Sequence, residues 1–181
     1  MVKEALHIRR ATGADAKLIS RLSEVTFFDT FHDTCTREDM EGFINEFFNQ
    51  KQVYEELENP DDFYFIAFQN DTALGYIRMK EEESDVVEIK NRKGIELKRI
   101  YVLKEFHSQK IGARLMQFAL DFAAENEYEL LWLGVWEHNE KALTFYEKFG
   151  FRDTGVKHPF PIGSTPQTDN WLVKLIEKRA E

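Results

Sequence analysis

Two segments of this chain carry residue types and spacings that could do chemistry. The sharper one runs Asn139-Glu140-Lys141-Ala142-Leu143-Thr144-Phe145-Tyr146-Glu147-Lys148-Phe149-Gly150-Phe151. Asn139 and Tyr146 stand about two helical turns apart, so an amide and a phenol project from one side of one helix. A phenol with a reference pKa of about 10 can hand a proton to a departing anion. Structural roles fit the same residues, Asn139 as an N-cap and Tyr146 as a core aromatic with a satisfied hydroxyl. The second segment is Lys104-Glu105-Phe106-His107-Ser108-Gln109-Lys110-Ile111-Gly112-Ala113-Arg114. The first turn of a helix offers unpaired backbone N–H groups and a positive dipole end, and a glycine lets an anion approach the chain. His107, Lys110 and Arg114 add donors or cations, which suits a pyrophosphate. A plain solvated helix start, with Gly112 chosen for packing, suits these residues equally.

Both segments lie in an alternation of strand (Ile95 to Val102), helix (Ile111 to Glu125), strand (Leu130 to Trp136) and helix (Lys141 to Phe149). A crossover of this length makes its two strands parallel. Upstream, Ala5 to Arg9 reads as a first strand, and Thr12-Gly13-Ala14-Asp15 resembles a capping box with Asp as acceptor. The helix that follows places Leu18, Ile19, Leu22, Val25 and Phe28 on one face. Thr36 with Asp39 starts a second helix through Met40, Phe43, Ile44, Phe47 and Phe48, and Gln52 to Glu58 adds a shorter one. Phe63 to Phe68 and Ala73 to Met79 flank the turn-prone Asn70-Asp71. The charged run Glu81 to Lys93 reads as a solvated loop. Phe151 to Val156 and Trp171 to Ile176 supply the last strands. The expected fold class is α/β, a mixed sheet with helices on both faces.

The 181 residues contain no repeat or Pro/Gly/Ser linker, so residues 1–181 are expected to form a single domain. Asp and Glu number 33 against 24 Lys and Arg, a net charge of −9 that disfavours nucleic acid and favours a cationic small molecule. Cys35 stands alone, which excludes an intrachain disulfide, and neither it nor His7, His32, His107, His138 or His158 has metal-like spacing, so no metal is expected. With no signal-like or membrane-spanning run, a cytoplasmic location is expected.

Together the two segments resemble the GNAT superfamily of acyl-coenzyme A dependent N-acetyltransferases, whose pattern N-x-x-A-x-x-F-Y-x-K-x-G-F is matched at Asn139, Ala142, Phe145, Tyr146, Lys148, Gly150 and Phe151. The superfamily's phosphate loop, Q/R-x-x-G-x-G/A, aligns on His107, Lys110 and Gly112, so two of its three positions depart here. The segments Thr26 to Phe31, Glu96 to Val102, Trp132 to Glu137 and Gln167-Thr168-Asp169 also resemble the PaiA-type spermidine/spermine N-acetyltransferases.

The resemblance implies a mostly antiparallel sheet splayed between its fourth and fifth strands, with acetyl-CoA as cosubstrate in the gap. Backbone groups of Ile100, Tyr101 and Val102 would bind the pantetheine and acetyl carbonyl. The loop of His107, Ser108, Gln109, Lys110, Ile111, Gly112 and Ala113 would hold the pyrophosphate, Asn139 the pantetheine arm, and Lys148 a coenzyme phosphate. Tyr146 would lie near the thioester sulfur as acid, and Glu96 would be the base. Asp29, Asp33, Glu96, Glu137 and Asp169 would line the path of a polyamine whose methylenes pack on Phe27, Phe28 and Phe31. A base is needed because an amine of pKa about 10.4 loses its proton at pH 7 only at a cost of roughly 4–5 kcal/mol. A protein α-amine or another small amine is the alternative acceptor, and a non-catalytic acyl-CoA sensor the alternative class. Whether the protein forms a homodimer is left open by the sequence.

Overall fold

The computed structural model describes residues 5–177. Its strands are His7–Arg10 (β1), Asp62–Gln69 (β2), Thr72–Lys80 (β3), Gly94–Val102 (β4), Leu130–Trp136 (β5), Arg152–Pro159 (β6) and Thr168–Leu175 (β7). Ala16–Phe31 (α1), Arg37–Phe47 (α2), Gln50–Glu58 (α3), Ile111–Glu125 (α4) and Glu140–Lys148 (α5) are the helices. One mixed sheet runs β1-β2-β3-β4-β5-β7-β6, antiparallel at every junction except the expected parallel pair β4/β5. Among the described residues, no helix is long and apolar enough to cross a membrane.

Alternation of side chains along the strands divides the core between two faces. Leu97, Leu131, Leu133 and Val135 pack with Leu115, Met116 and Ala119 of α4 and with Tyr146 of α5. On the opposite face Tyr64 and Tyr76 pack with Ile19 and Leu22 of α1 and Val53 of α3. Helix α1 departs from the expected stripe in its second half. Val25 and Phe28 are exposed, whereas Ser23, Thr26 and Phe27 are buried. The polar pair tolerates burial because Ser23 donates to the Ile19 carbonyl at 2.8 Å and Thr26 to that of Leu22 at 2.6 Å. Phe27 stacks on Phe43 of α2, so α2 draws the buried stripe toward itself.

Beneath β4 lies a buried ion network. Arg78 donates to Asp62 at 2.7 and 3.0 Å and to Glu56 at 2.9 Å, and Arg99 donates to Glu56 at 3.1 Å and to the Tyr64 hydroxyl at 2.7 Å. Tyr64 closes the ring with a short hydrogen bond to Glu56. Two cations and two carboxylates balance, so each is costly to remove alone. Glu56→Ala leaves Arg99 with no carboxylate partner among the described residues and Arg78 with Asp62 alone, and is expected to lose about 3–5 kcal/mol of stability, read by urea denaturation.

The connection between β6 and β7 is tied to α2. Asp39 accepts from the Ser164 amide at 2.8 Å and from the Thr165 hydroxyl at 2.8 Å, while Gln167 donates to Thr34 at 2.8 Å. Those donors hold the Asp39 carboxyl down at about 2. Because the folded value lies below the unfolded one of about 3.9, the tie stabilises above that pH and is lost as pH falls through about 2. The melting-temperature gap between wild type and Asp39→Ala is therefore expected to close on acidification below pH 4.

Candidate active site

Strands β4 and β5 pair only at Gly94 with Leu130, Ile95 with Leu131 and Glu96 with Trp132. Past Glu96, β4 stays with β3 as far as Val102, and β5 stays with β7 as far as Trp136. The parting begins beside an irregularity in β4. Met79 faces Leu97 and Arg78 faces Arg99, which leaves Lys98 without an opposite residue. Such a bulge bends its strand and increases the local twist. The result is a cleft of about 760 Å³ whose walls include two strand edges with no strand partner among the described residues. Free strand edges offer backbone donors and acceptors to an extended ligand.

At one end the cleft is basic. Lys104, His107, Lys110 and Lys141 line it together with Gly112 and Ala113 from the first turn of α4. Lys110 precedes that helix in the left-handed region, φ 59° and ψ 21°, and caps it with no side-chain hydrogen bond. A backbone of this shape favours glycine, which gives a physical reason why the family pattern carries one at the aligned position. His107 serves the frame: its Nε2 donates to the Val102 carbonyl at 2.8 Å, and Lys141 donates to its Nδ1 at 3.3 Å.

The expected site residues divide. Glu96, Ile100, Tyr101, Val102, His107, Lys110, Gly112, Ala113, Asn139 and Tyr146 line the cleft. Ser108, Gln109 and Lys148 are exposed and outside its lining, and Ile111 is buried in the core. Asn139 caps α5, accepting from the Ala142 amide at 3.1 Å, so the capping role and a place in the cleft coexist. Of the proposed substrate wall, Asp29, Phe31 and Asp169 line the cleft. Phe27 is buried in the core and Phe28 stacks on His32, while Asp33 pairs with His32 and Glu137 with Lys157.

Three titratable groups mark the opposite end. Glu96 is buried, and desolvation pushes its carboxyl up to about 7 against the pull of Lys98, which donates to it at 3.0 Å. Tyr146 is pushed above the ordinary tyrosine value by burial and then by the charge of Asp169, so its hydroxyl stays protonated. Burial alone raises Asp169 to about 6.

A second cavity of about 590 Å³ joins the cleft where Glu96, Lys98, His158 and Trp171 line both. Glu82, Glu83 and Asp85 line its outer part. These acids belong to the run expected to be a solvated loop, but Val86 and Ile89 anchor that run against Leu130, Trp132 and Val173. Lys98 bridges the loop to the cleft, donating to Glu82 and to Glu96 at 3.0 Å each. Two apolar residues three positions apart were the available signal in the sequence. Lys104 and Lys141 likewise escaped notice, although Lys141 lies one turn from Phe145 on the same helix.

A mixed sheet opened between two parallel strands, with a helix start at one end of the gap and buried acids at the other, defines a class of two-substrate clefts. The profile of the Acetyltransferase (GNAT) family matches residues 25–151, and the chain belongs to that family as an acetyltransferase. It is 33% identical over 155 residues to an uncharacterized N-acetyltransferase in the pepI 3′ region of Lactobacillus delbrueckii subsp. lactis, covering 86% of this chain and 88% of the relative. Its fold matches the crystal structure of PaiA N-acetyltransferase from Thermoplasma acidophilum in complex with coenzyme A, with TM-score 0.77, 21% identity, and 94% and 99% of the two chains covered. The ribosomal-protein-S18-alanine N-acetyltransferase of Escherichia coli also shares it, with TM-score 0.71, 15% identity, and 98% and 97% covered.

Proposed function

We propose that the protein transfers an acetyl group directly from acetyl-CoA to a cationic primary amine of the polyamine class. The observation that carries this reading is the polarity of the cleft, basic at Lys104, Lys110 and Lys141, while at the other end the carboxylates of Asp29, Glu96 and Asp169 outnumber the Lys98 ammonium and the Arg99 guanidinium is held by Glu56. Anionic phosphates suit the first end and an ammonium group the second. The crystal structure of the PaiA relative with coenzyme A supports the donor.

In this reading the uncapped first turn of α4, with Gly112 and Ala113, holds the pyrophosphate, and the free edge of β4 from Ile100 to Val102 holds the pantetheine arm. Asn139 meets the same arm. Neither Ser108 nor Gln109 lines the cleft, so their part is limited to backbone groups, and Lys148 contacts a phosphate only outside the cleft. Acetyl-CoA supplies the activated acyl group as a thioester. Glu96, near pH 7 about half ionised, takes the ammonium proton directly or through one water. The freed nitrogen forms the amide bond as the carbon–sulfur bond breaks, and the Tyr146 hydroxyl donates its proton to the sulfur. The second proton of the nitrogen passes through water back to the phenol, so that the net proton released leaves from Glu96. No covalent enzyme intermediate is involved.

A thiol-release assay with acetyl-CoA against polyamines, amino acids and peptides tests the reading. Turnover with spermidine or spermine, and little with neutral amines, is the expected result. Preference for a peptide α-amine would instead favour the second reading, to which the fold shared with the ribosomal-protein acetyltransferase lends support. Coenzyme binding without turnover on any acceptor would leave the non-catalytic sensor.

A further inference from the structure

Strand β4 changes phase at Lys98. Ile95 and Leu97 belong to the core on the α4 face before it, and Ile100 and Val102 pack on that core after it, so one extra residue separates the two runs. The ammonium of that extra residue lies 3.0 Å from Glu96 Oε2 and 3.0 Å from Glu82 Oε2. The two carboxylates are not alike. The Glu96 side chain is 6% exposed, and among the described residues its ion pair is with Lys98. The Glu82 side chain is 38% exposed and also accepts from Lys80 at 3.4 Å. Water and a second cation therefore support an ionised Glu82, whereas a buried carboxylate depends on the cation beside it.

We propose that Lys98 is a positioning residue for Glu96, and that Glu82 competes for its ammonium, so that the run from Glu81 to Lys93 governs how readily the buried carboxylate ionises. Burial pushes the Glu96 carboxyl up, Lys98 pulls it down, and Glu82 pushes it up again. Other charged or titratable groups surround the pair. Lys80 stands opposite Glu96 on β3 but pairs with Glu82, while His158 of β6 and Asp169 of β7 line the cleft, and Glu83 and Asp85 line the outer part of the second cavity. Among the described residues none of these is ion-paired with Glu96. Resting on the reading of Glu96 as the base, the contest for Lys98 sets the pH above which acetyl transfer proceeds. The contest itself exists whatever the cleft catalyses.

The test follows the Glu96 titration by carboxyl NMR of the full chain labelled at the glutamate δ-carbon, with the resonance assigned as the one missing from Glu96→Gln. The ascending limb of kcat/KM with acetyl-CoA and spermidine is recorded beside it. Lys98→Met is expected to raise the Glu96 midpoint by about one pH unit or more, the scale for loss of an adjacent opposite charge. Lys98→Arg keeps the charge and should fall between Lys98→Met and the wild type. Glu82→Gln should shift the midpoint the other way, downward, because it removes a like charge and leaves Lys98 to Glu96. A tie that only fastens the loop predicts a different pattern, since Lys98→Met and Glu82→Gln break the same contact and would move Glu96 in the same direction as water enters. No rise in Lys98→Met, a rise in Lys98→Arg as large as in Lys98→Met, or no fall in Glu82→Gln overturns the proposal, and Glu82→Gln decides it alone if Lys98→Met does not fold. Midpoints that shift as expected while the kcat/KM limb stays still would count against Glu96 as the base and not against the role of Lys98.

Discussion

Tyr146→Phe is expected to lower kcat roughly 10²–10⁴-fold, the range for loss of a positioned acid. The Kd for acetyl-CoA and the melting temperature should stay close to those of the wild type, because phenylalanine keeps the ring contacts with Phe145 and Phe151. That split separates proton donation from packing. A purely structural tyrosine would lose stability and coenzyme affinity together, with little specific effect on turnover. The environment of Tyr146 also sets the alkaline side of the profile. Burial and the Asp169 charge hold its hydroxyl protonated beyond the pH at which tyrosines usually ionise, so the acid should remain competent there. Single-turnover measurements with saturating amine check the loss at the chemical step.

Glu96→Gln is the second large effect. The wild-type kcat/KM should rise with pH through about 7 and level off above it, because the base acts in its ionised form. In the variant that ascending limb should vanish and the plateau should fall roughly 10²–10⁴-fold. The stability readout has the opposite sign. A carboxyl raised in the folded state favours its protonated form, so its contribution is present below the unfolded value of about 4.3 and is lost as pH rises through about 7. Glu96→Gln should therefore gain stability relative to wild type as pH rises from about 4 to about 7, and the gain should level off above that. An active variant with an unchanged pH profile would assign the base elsewhere.

Much of the scaffold was legible because its patterns are local. The expected limits of α4 and β5 coincide with the structure, since a long apolar period and a continuous apolar run specify them. The closing strands shift. β6 runs Arg152–Pro159 and β7 runs Thr168–Leu175, because pairing across the sheet and not local composition sets where they begin and end. The bulge at Lys98 had no local signal, for it exists only in the register with β3. The reversal in α1 had the same origin, as Phe27 is buried by a partner helix that periodicity does not contain. In the candidate site, Tyr146 and Asn139 stood out through helical spacing. Gly134 and Asp169 did not, because the close approach of Trp171 and Asp169 to the Gly134 backbone, and the Asp169 Oδ1 with no hydrogen-bond partner among the described residues, become visible only when β5 and β7 lie side by side.

Amide hydrogen exchange with and without saturating acetyl-CoA tests the opened strand pair most directly. Slower exchange concentrated at Ile100 to Val102 and at Ile111 to Ala113, with the Gly94 to Glu96 pairing unaffected, is the result that follows from a thioester carrier lying between β4 and β5 with its phosphates at the α4 start. Unchanged exchange in both segments while the ligand binds would place it elsewhere on the molecule and contradict the account.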